Sequence, residues 1–301
     1  MLSAILAVTL IVADLTAAER AYVDWLDYRV VDRGTLDAAQ AAGWDAPQAE
    51  GRRYVLLQPA SGAHTYLRLV QSPNTPGYVS MRNHGWNSNE ILVQDPVALA
   101  AKFKSGNAPF RVVGEPRPLS MSPSVIAMQA VGPAGELNYF TRIPPEGTSF
   151  LKASAQSFVD RTFIVVLGGP SMAAMIAFYR DTLGLVVTEP APAKVNVLQQ
   201  AWGVGPEATI PLAIAKVSDR FLIELDGYDA HATPRPQRPG DLPPGMAMVS
   251  FEAPNLDAER LPWLVAPRVR KDAPYAGRRA GVLRGAAGEL VELVETQRTD
   301  K

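Results

Sequence analysis

Arg68 stands in a strand-like run, residues 64–70, whose alternation puts His64, Tyr66, Arg68 and Val70 on one face. The same parity selects Trp86, Ser88, Glu90 and Leu92 from a second run, 86–93, and Leu137, Tyr139 and Thr141 from a third, 136–142. A guanidinium can hold a carboxylate or an enolate through two charge-assisted hydrogen bonds, a carboxylate or an imidazole can accept a proton, and an indole and a phenol can wall a flat ligand. If these faces meet, Arg68 anchors, Glu90 or His64 takes a proton, and Tyr66, Trp86, Ser88 and Tyr139 line the ligand. His84, in the polar segment 81–87, then stands at the rim. The same residues have a structural use: Arg68 and Glu90 would pair as a buried salt bridge, and a lone loop histidine is commonly just solvated.

Composition narrows the chemistry. There is no cysteine among the 301 residues, which removes disulfides, thiolate metal sites and a cysteine nucleophile, and fits a cytoplasmic protein. A net charge of -1 provides no basic field for nucleic acid or an anionic membrane, so the expected partner is a small molecule. The length suffices for two cored domains, and 47% hydrophobic with 20% charged residues is ordinary for a globular chain, monomeric or homodimeric. The apolar opening, 1–13, lacks a cationic start, is too short to span a bilayer and runs into a helix cap at Asp14, so it reads as a buried first strand.

Four similar units then follow. Asp14, Asp95 with Pro96, and Ser171 are helix caps, each placed after an apolar run. Strands are expected near 28–31, 53–58 and 64–70 in the first unit, and near 110–113, 126–131 and 136–142 in the second. Residues 143–160, with Pro144, Pro145 and Gly147, read as a linker. The third unit runs from a strand at 162–167 to strands at 208–217 and 220–225. A Pro-rich connection, 233–245, then leads to the fourth, which opens at 246–252, takes a short helix after Asn255 and closes in the strand containing Glu292. Offsets hold nearly constant between halves: 158 from Trp44 to Trp202, 156 from Arg68 to Glu224 and 153 from Gly135-Glu136 to Gly288-Glu289.

The helix end Phe178-Tyr179-Arg180-Asp181-Thr182-Leu183-Gly184-Leu185, with the closing strand Gly288-Glu289-Leu290-Val291-Glu292-Leu293-Val294-Glu295, resembles the vicinal-oxygen-chelate superfamily of glyoxalases, bleomycin-resistance proteins and extradiol dioxygenases. That resemblance implies an α+β fold of four βαβββ modules forming two cup-shaped mixed sheets with helices outside. The modules are expected to pair first with second and third with fourth, as domains 1–142 and 161–301.

In that family the cup commonly holds a divalent ion. The corresponding positions here are Ala7, Arg68, Ser88 and Tyr139 in the first half, and Ile164, Glu224, Met248 and Glu292 in the second. Only Glu224 and Glu292 would serve, with waters on a hard ion, and three histidines in all are a poor supply for the two-histidine, one-carboxylate iron site of ring cleavage. The expectation is a metal-independent enzyme of proton transfer, an isomerase or lyase, acting on a small aromatic or carboxylated metabolite. Its alternatives are a protein that sequesters a planar compound without turnover, and a divalent-metal enzyme of the family, ring-cleaving dioxygenases included.

Overall fold

The structure, a computed structural model, describes residues 2–119, 122–148, 151–257 and 261–296. The first module comprises β1 (Ala4–Val12), α1 (Leu15–Leu26), β2 (Arg29–Thr35), α2 (Ala38–Gly43), β3 (Arg53–Gln58) and β4 (Tyr66–Gln71). The second holds β5 (Gly85–Val93), α3 (Pro96–Lys104), β6 (Arg111–Leu119), β7 (Ser122–Val131) and β8 (Leu137–Arg142). The third holds β9 (Val159–Gly169), α4 (Met172–Ala177), β10 (Val186–Val187), β11 (Ala191–Ala193), α5 (Asn196–Trp202), β12 (Ile210–Ser218) and β13 (Phe221–Gly227). The fourth is β14 (Met246–Ala253), β15 (Trp263–Val269), β16 (Arg279–Arg284) and β17 (Leu290–Glu295). Residues 254–257 are not helical, and the rest of the helix expected after Asn255 falls on 258–260, outside the described residues.

The three expected caps form. Asp14 Oδ1 accepts from Ala17 N at 3.0 Å, Asp95 Oδ1 from Val97 N and Ala98 N at 2.9 and 3.0 Å, and Ser171 Oγ from Ala174 N at 3.2 Å. Each satisfies backbone donors that a helix start leaves open, and each begins the helix directly after its module's first strand. Among the described residues no helix is long and apolar enough to cross a membrane.

Two mixed sheets result, as expected, but their membership differs from the expectation. One sheet has the order β15-β16-β17-β14-β1-β4-β3-β2, the other β10-β12-β13-β9-β5-β8-β7-β6, with β11 also on β12. Modules one and four therefore share a sheet, and so do modules two and three. Within every module the first strand runs parallel to the last, and the first strands of paired modules meet antiparallel, β1 on β14 and β5 on β9. The boundary drawn at 143–160 thus passes through a continuous sheet. Among its described residues Leu151 and Ala153 are buried and Lys152 N is bonded to Asp219 O at 2.7 Å, and Val159 and Asp160 already belong to β9. A constant repeat offset identifies equivalent strands; it does not say which edges join.

Module one meets module two, and three meets four, through a shared apolar core crossed in each case by a buried hydrogen bond rather than through a sheet. Tyr22 OH of α1 donates to Glu136 Oε1 at 2.7 Å, and Tyr179 OH donates to Glu289 Oε1 at 3.0 Å. Both glutamates also accept a backbone N–H, from Ala134 and Ala287, each at 2.8 Å. These are the Gly-Glu turns picked out by the repeat. Helices pack on one face of each sheet, as where Phe103 of α3 meets Phe140 of β8 at 5.5 Å between ring centroids. The opposite faces are the interiors of the two cups, the first of them covered by α2 and the Trp44 that follows it.

Candidate functional site

The interior of the first cup, between modules one and four, is sealed. Thr9, Arg68, Ser250 and Glu292 line it from the four central strands β1, β4, β14 and β17. Over them lie Trp44, which follows α2, and Tyr275, from the β15–β16 connection; Arg68, Glu292, Trp44 and Tyr275 are each at most 1% exposed. Glu292 accepts from Trp44 Nε1 at 3.0 Å, from Tyr275 OH at 2.9 Å and from Ser250 Oγ. Arg68 donates to Tyr275 OH at 3.1 Å and to Thr9 Oγ1 at 3.3 Å, and its guanidinium lies 4.8 Å from the centroid of the Trp44 ring. A second guanidinium, Arg270, stands 4.5 Å from the Tyr275 ring and pairs with Asp272 at 3.2 Å. Burial opposes the Asp272 carboxylate, but Arg270 and a bond from Gln40 outweigh it and hold its pKa below the ordinary range. Two cations, two carboxylates and two large rings fill the space, leaving Arg68 no room for a substrate anion.

The second cup, between modules two and three, has a different interior. Its inner face runs from Gln129 on β7 and Tyr139 and Thr141 on β8, through Glu90 on β5 and Ile164 on β9, to Glu224 and Asp226 on β13 and Ile214 on β12. Gln129, Tyr139, Ile164, Ile214 and Glu224 are half-buried, so this floor is more open than the first. Glu90 is held by Thr141, whose Oγ1 donates to Glu90 Oε1 at 2.5 Å, and burial still pushes its pKa up to about 7. Burial also raises Glu224, with the neighbouring Asp226 and Glu90 charges adding to it, and raises Asp226. The Tyr139 phenol is held protonated by burial and by the field of all three carboxylates. None of the three takes part in an ion pair among the described residues, and Asp226 Oδ1, buried, has no hydrogen-bond partner.

The residues singled out from sequence are thus distributed, not gathered. Arg68 and Glu90 lie in different sheets and do not pair; Glu224 and Glu292 also lie in different sheets and cannot share an ion. His64 is exposed ahead of β4, outside the cup, and Tyr66 packs against Leu6 and Tyr275 at the edge of the sealed interior. Trp86 breaks the parity of β5 because the β5–β9 register shifts between Trp86 and Ser88. Its ring enters the core between the sheets, 6.2 Å from Phe251 and 6.5 Å from Tyr179, with Nε1 bonded to Leu290 O at 2.8 Å. Ser88 is buried on β5 beside Val166 of β9. His84 is buried rather than at a rim: its backbone N bonds Thr233 O at 2.9 Å, and burial lowers its pKa. The Pro-rich connection is pinned by Arg235, which donates to the carbonyls of His84, Trp86, Pro244 and Met246.

Sequence reasoning missed Tyr275, Arg270 and Asp226. Asp226 was within reach, since it follows Glu224 by two on the same strand face. Tyr275 lies in an irregular connection and gave no periodic signal.

No protein-family model matches the sequence, nor does any curated protein sequence. Solved structures are similar over nearly the whole chain. A glutamate-to-glutamine variant of glyoxalase I from Zea mays gives a TM-score of 0.63 at 15% identity, over 97% of this chain and 93% of that one. A Bacillus subtilis protein assigned as a dioxygenase gives 0.62 at 14% identity, over 98% and 85%. The chain therefore has the vicinal-oxygen-chelate fold.

A divalent ion of the kind that fold commonly carries does not suit the side chains present. At its expected positions the first cup has Ala7, Arg68, Met248 and Glu292, a guanidinium beside a carboxylate already bonded three times. The second has Ser88, Tyr139, Ile164 and Glu224, with a single charged donor. Among the described residues no group of three or more histidines, aspartates or glutamates is arranged to hold an ion.

Proposed function

We propose that the chain is an enzyme of proton transfer, an isomerase or lyase that needs no metal, and that its site is the second cup. The observation that supports this reading is Glu90: a buried carboxylate on the inner face of its sheet, held by Thr141, without a cation, and with its pKa raised to about 7. A base poised near neutrality is the kind that removes a proton from carbon next to a carbonyl with greatest effect. Tyr139, opposite Glu90 in the β5–β8 register and kept protonated, supplies the hydrogen bond that an enolate oxygen gains as charge develops. Arg68, cast from sequence as the anchor, has no part in this arrangement.

Deuterium uptake from heavy water into a panel of small carbonyl compounds, followed by proton NMR, tests the reading. Exchange by the native protein should fall by about 10²–10⁴-fold in Glu90→Gln and survive Arg68→Met in whatever fraction stays folded. Exchange that is unchanged in Glu90→Gln would discard Glu90 as the base. Binding without any exchange would make the protein a sequestering one.

A further inference from the structure

Resting on that reading, we propose that the ligand of the second cup is a protonated amine, with Glu224 and Asp226 forming the subsite that receives its ammonium group. The supply of counter-charge around the two residues carries the argument. Buried or half-buried acids elsewhere among the described residues are answered either by an arginine, as Asp241 by Arg52, Asp160 by Arg161, Asp272 by Arg270 and Glu252 by Arg278, or by two or more neutral donors, as Glu136, Glu289 and Glu292 are. Glu90, Glu224 and Asp226 have no arginine, and the one side-chain donor among the described residues is Thr141 on Glu90; the cations nearest in the fold are engaged elsewhere. Lys216, on the same face of β12 as Ile214, is turned to Asp219 at 2.6 Å, and the Arg235 guanidinium is taken up by backbone carbonyls. The remaining groups facing Asp226 are Glu224, Tyr139 and Tyr228, with His231 stacked on Trp202 beyond Tyr228.

A second observation is independent of the acid count. Asp226 is 2% exposed, and its Oδ1 accepts no hydrogen bond from any described residue. A buried acceptor without a donor is costly, and a ligand N–H would satisfy it. An anionic ligand would instead meet three acidic side chains, so the carboxylated metabolite expected from sequence does not suit this floor.

In the empty cup these acids retain protons because burial disfavours their charges. An arriving ammonium reverses that balance, so binding expels a proton and strengthens as pH rises. Benzylamine, benzyl alcohol and benzoate share a ring and differ in the charge of the head group. They are titrated into protein carrying labelled isoleucine methyls, with Ile164 and Ile214 reporting the inner face of the cup. Benzylamine should shift both methyls, bind at least tenfold more tightly at pH 8 than at pH 6, and weaken at least tenfold in Asp226→Asn and in Glu224→Gln. If benzyl alcohol or benzoate shifts the methyls and benzylamine does not, the amine class is wrong while the cup remains the site. If none of the three shifts them, the cup reading fails as well. If calcium chloride shifts them and benzylamine does not, the acids form a hard-cation site and the proposal is overturned. Equal affinity of benzylamine for the native protein and Asp226→Asn also overturns it.

Discussion

The two cups share one strand plan and have opposite interiors. In the first, every buried charge is answered from within the chain: Trp44, Tyr275 and Ser250 serve Glu292, and Arg270 and Gln40 serve Asp272. In the second, three acids share a floor with neutral neighbours. The difference comes from the connections. Module four inserts the 270–278 segment bearing Tyr275 between β15 and β16, whereas in module two β6 ends at Leu119 and β7 begins at Ser122, too close in sequence for such a segment. Trp44 drops onto the sheet, while its repeat partner Trp202 turns to Tyr228 and His231 and bonds Met81 O at 2.8 Å. One strand plan can therefore carry two differently filled interiors, without changing the sheets.

The largest effect should come from the plug. Trp44→Ala removes a buried ring and two hydrogen bonds and should cost about 3–5 kcal/mol in urea unfolding, against less than half that for the half-buried Trp202. Comparable losses at the two positions would erase the distinction between sealed and open cups.

Arg68→Met should cost about 3 kcal/mol, because it leaves Glu292 buried with a weakened charge balance. The double change with Glu292→Leu should restore much of this in thermal melts, and the double change with Glu90→Leu should restore none of it through Arg68, the two lying in separate sheets. Recovery with Glu90→Leu would contradict the sheet assignment.

The cups should also respond to pH in opposite senses. In the second, the folded pKa values are raised, so the native state holds protons that the unfolded chain releases near the ordinary 4.5 of Glu90 and Glu224 and 3.8 of Asp226. Stability is then lost as pH rises towards about 7, where Glu90 ionises. In the first, the depressed Asp272 contributes stability that disappears as pH falls through its folded value. Between pH 5 and 8 Glu90 alone should cost roughly 2–3 kcal/mol, with Glu224 and Asp226 adding to it, and replacing all three, Glu90→Gln with Glu224→Gln and Asp226→Asn, should flatten that slope. A slope that persists in the triple variant would place its source elsewhere.

The smallest effect concerns the ties between modules. Tyr22→Phe and Tyr179→Phe each leave one acceptor of a buried glutamate unmet, and should cost about 1–2 kcal/mol by similar amounts. Markedly unequal costs would show that the two halves are not held in the same way.

Local signals in the sequence were sufficient for the modules. Asp14, Asp95 and Ser171 announced their helices, and alternation put Glu292 on the inner face of its strand. Pairing was not legible, because the antiparallel contact of β1 with β14 joins residues about 240 apart and depends on edges that every module shares. Trp86 was misplaced by one register shift, since a single extra residue turns a side chain to the other face. The Arg68–Glu90 site failed for the first reason: both residues sit on inner faces, but of different cups.

The nested pairing also bears on assembly during synthesis. Residues 85–227 complete their sheet from consecutive modules, while β1 must wait for β14 before its second edge is covered. At roughly 5–20 residues per second the interval is about 12–47 seconds, during which an apolar strand presents open backbone. A neighbouring chain that has already completed its fourth module offers the same β14. The seam between β1 and β14 is thus where two molecules would exchange halves, and a dimer formed that way would keep each chain's own second cup intact.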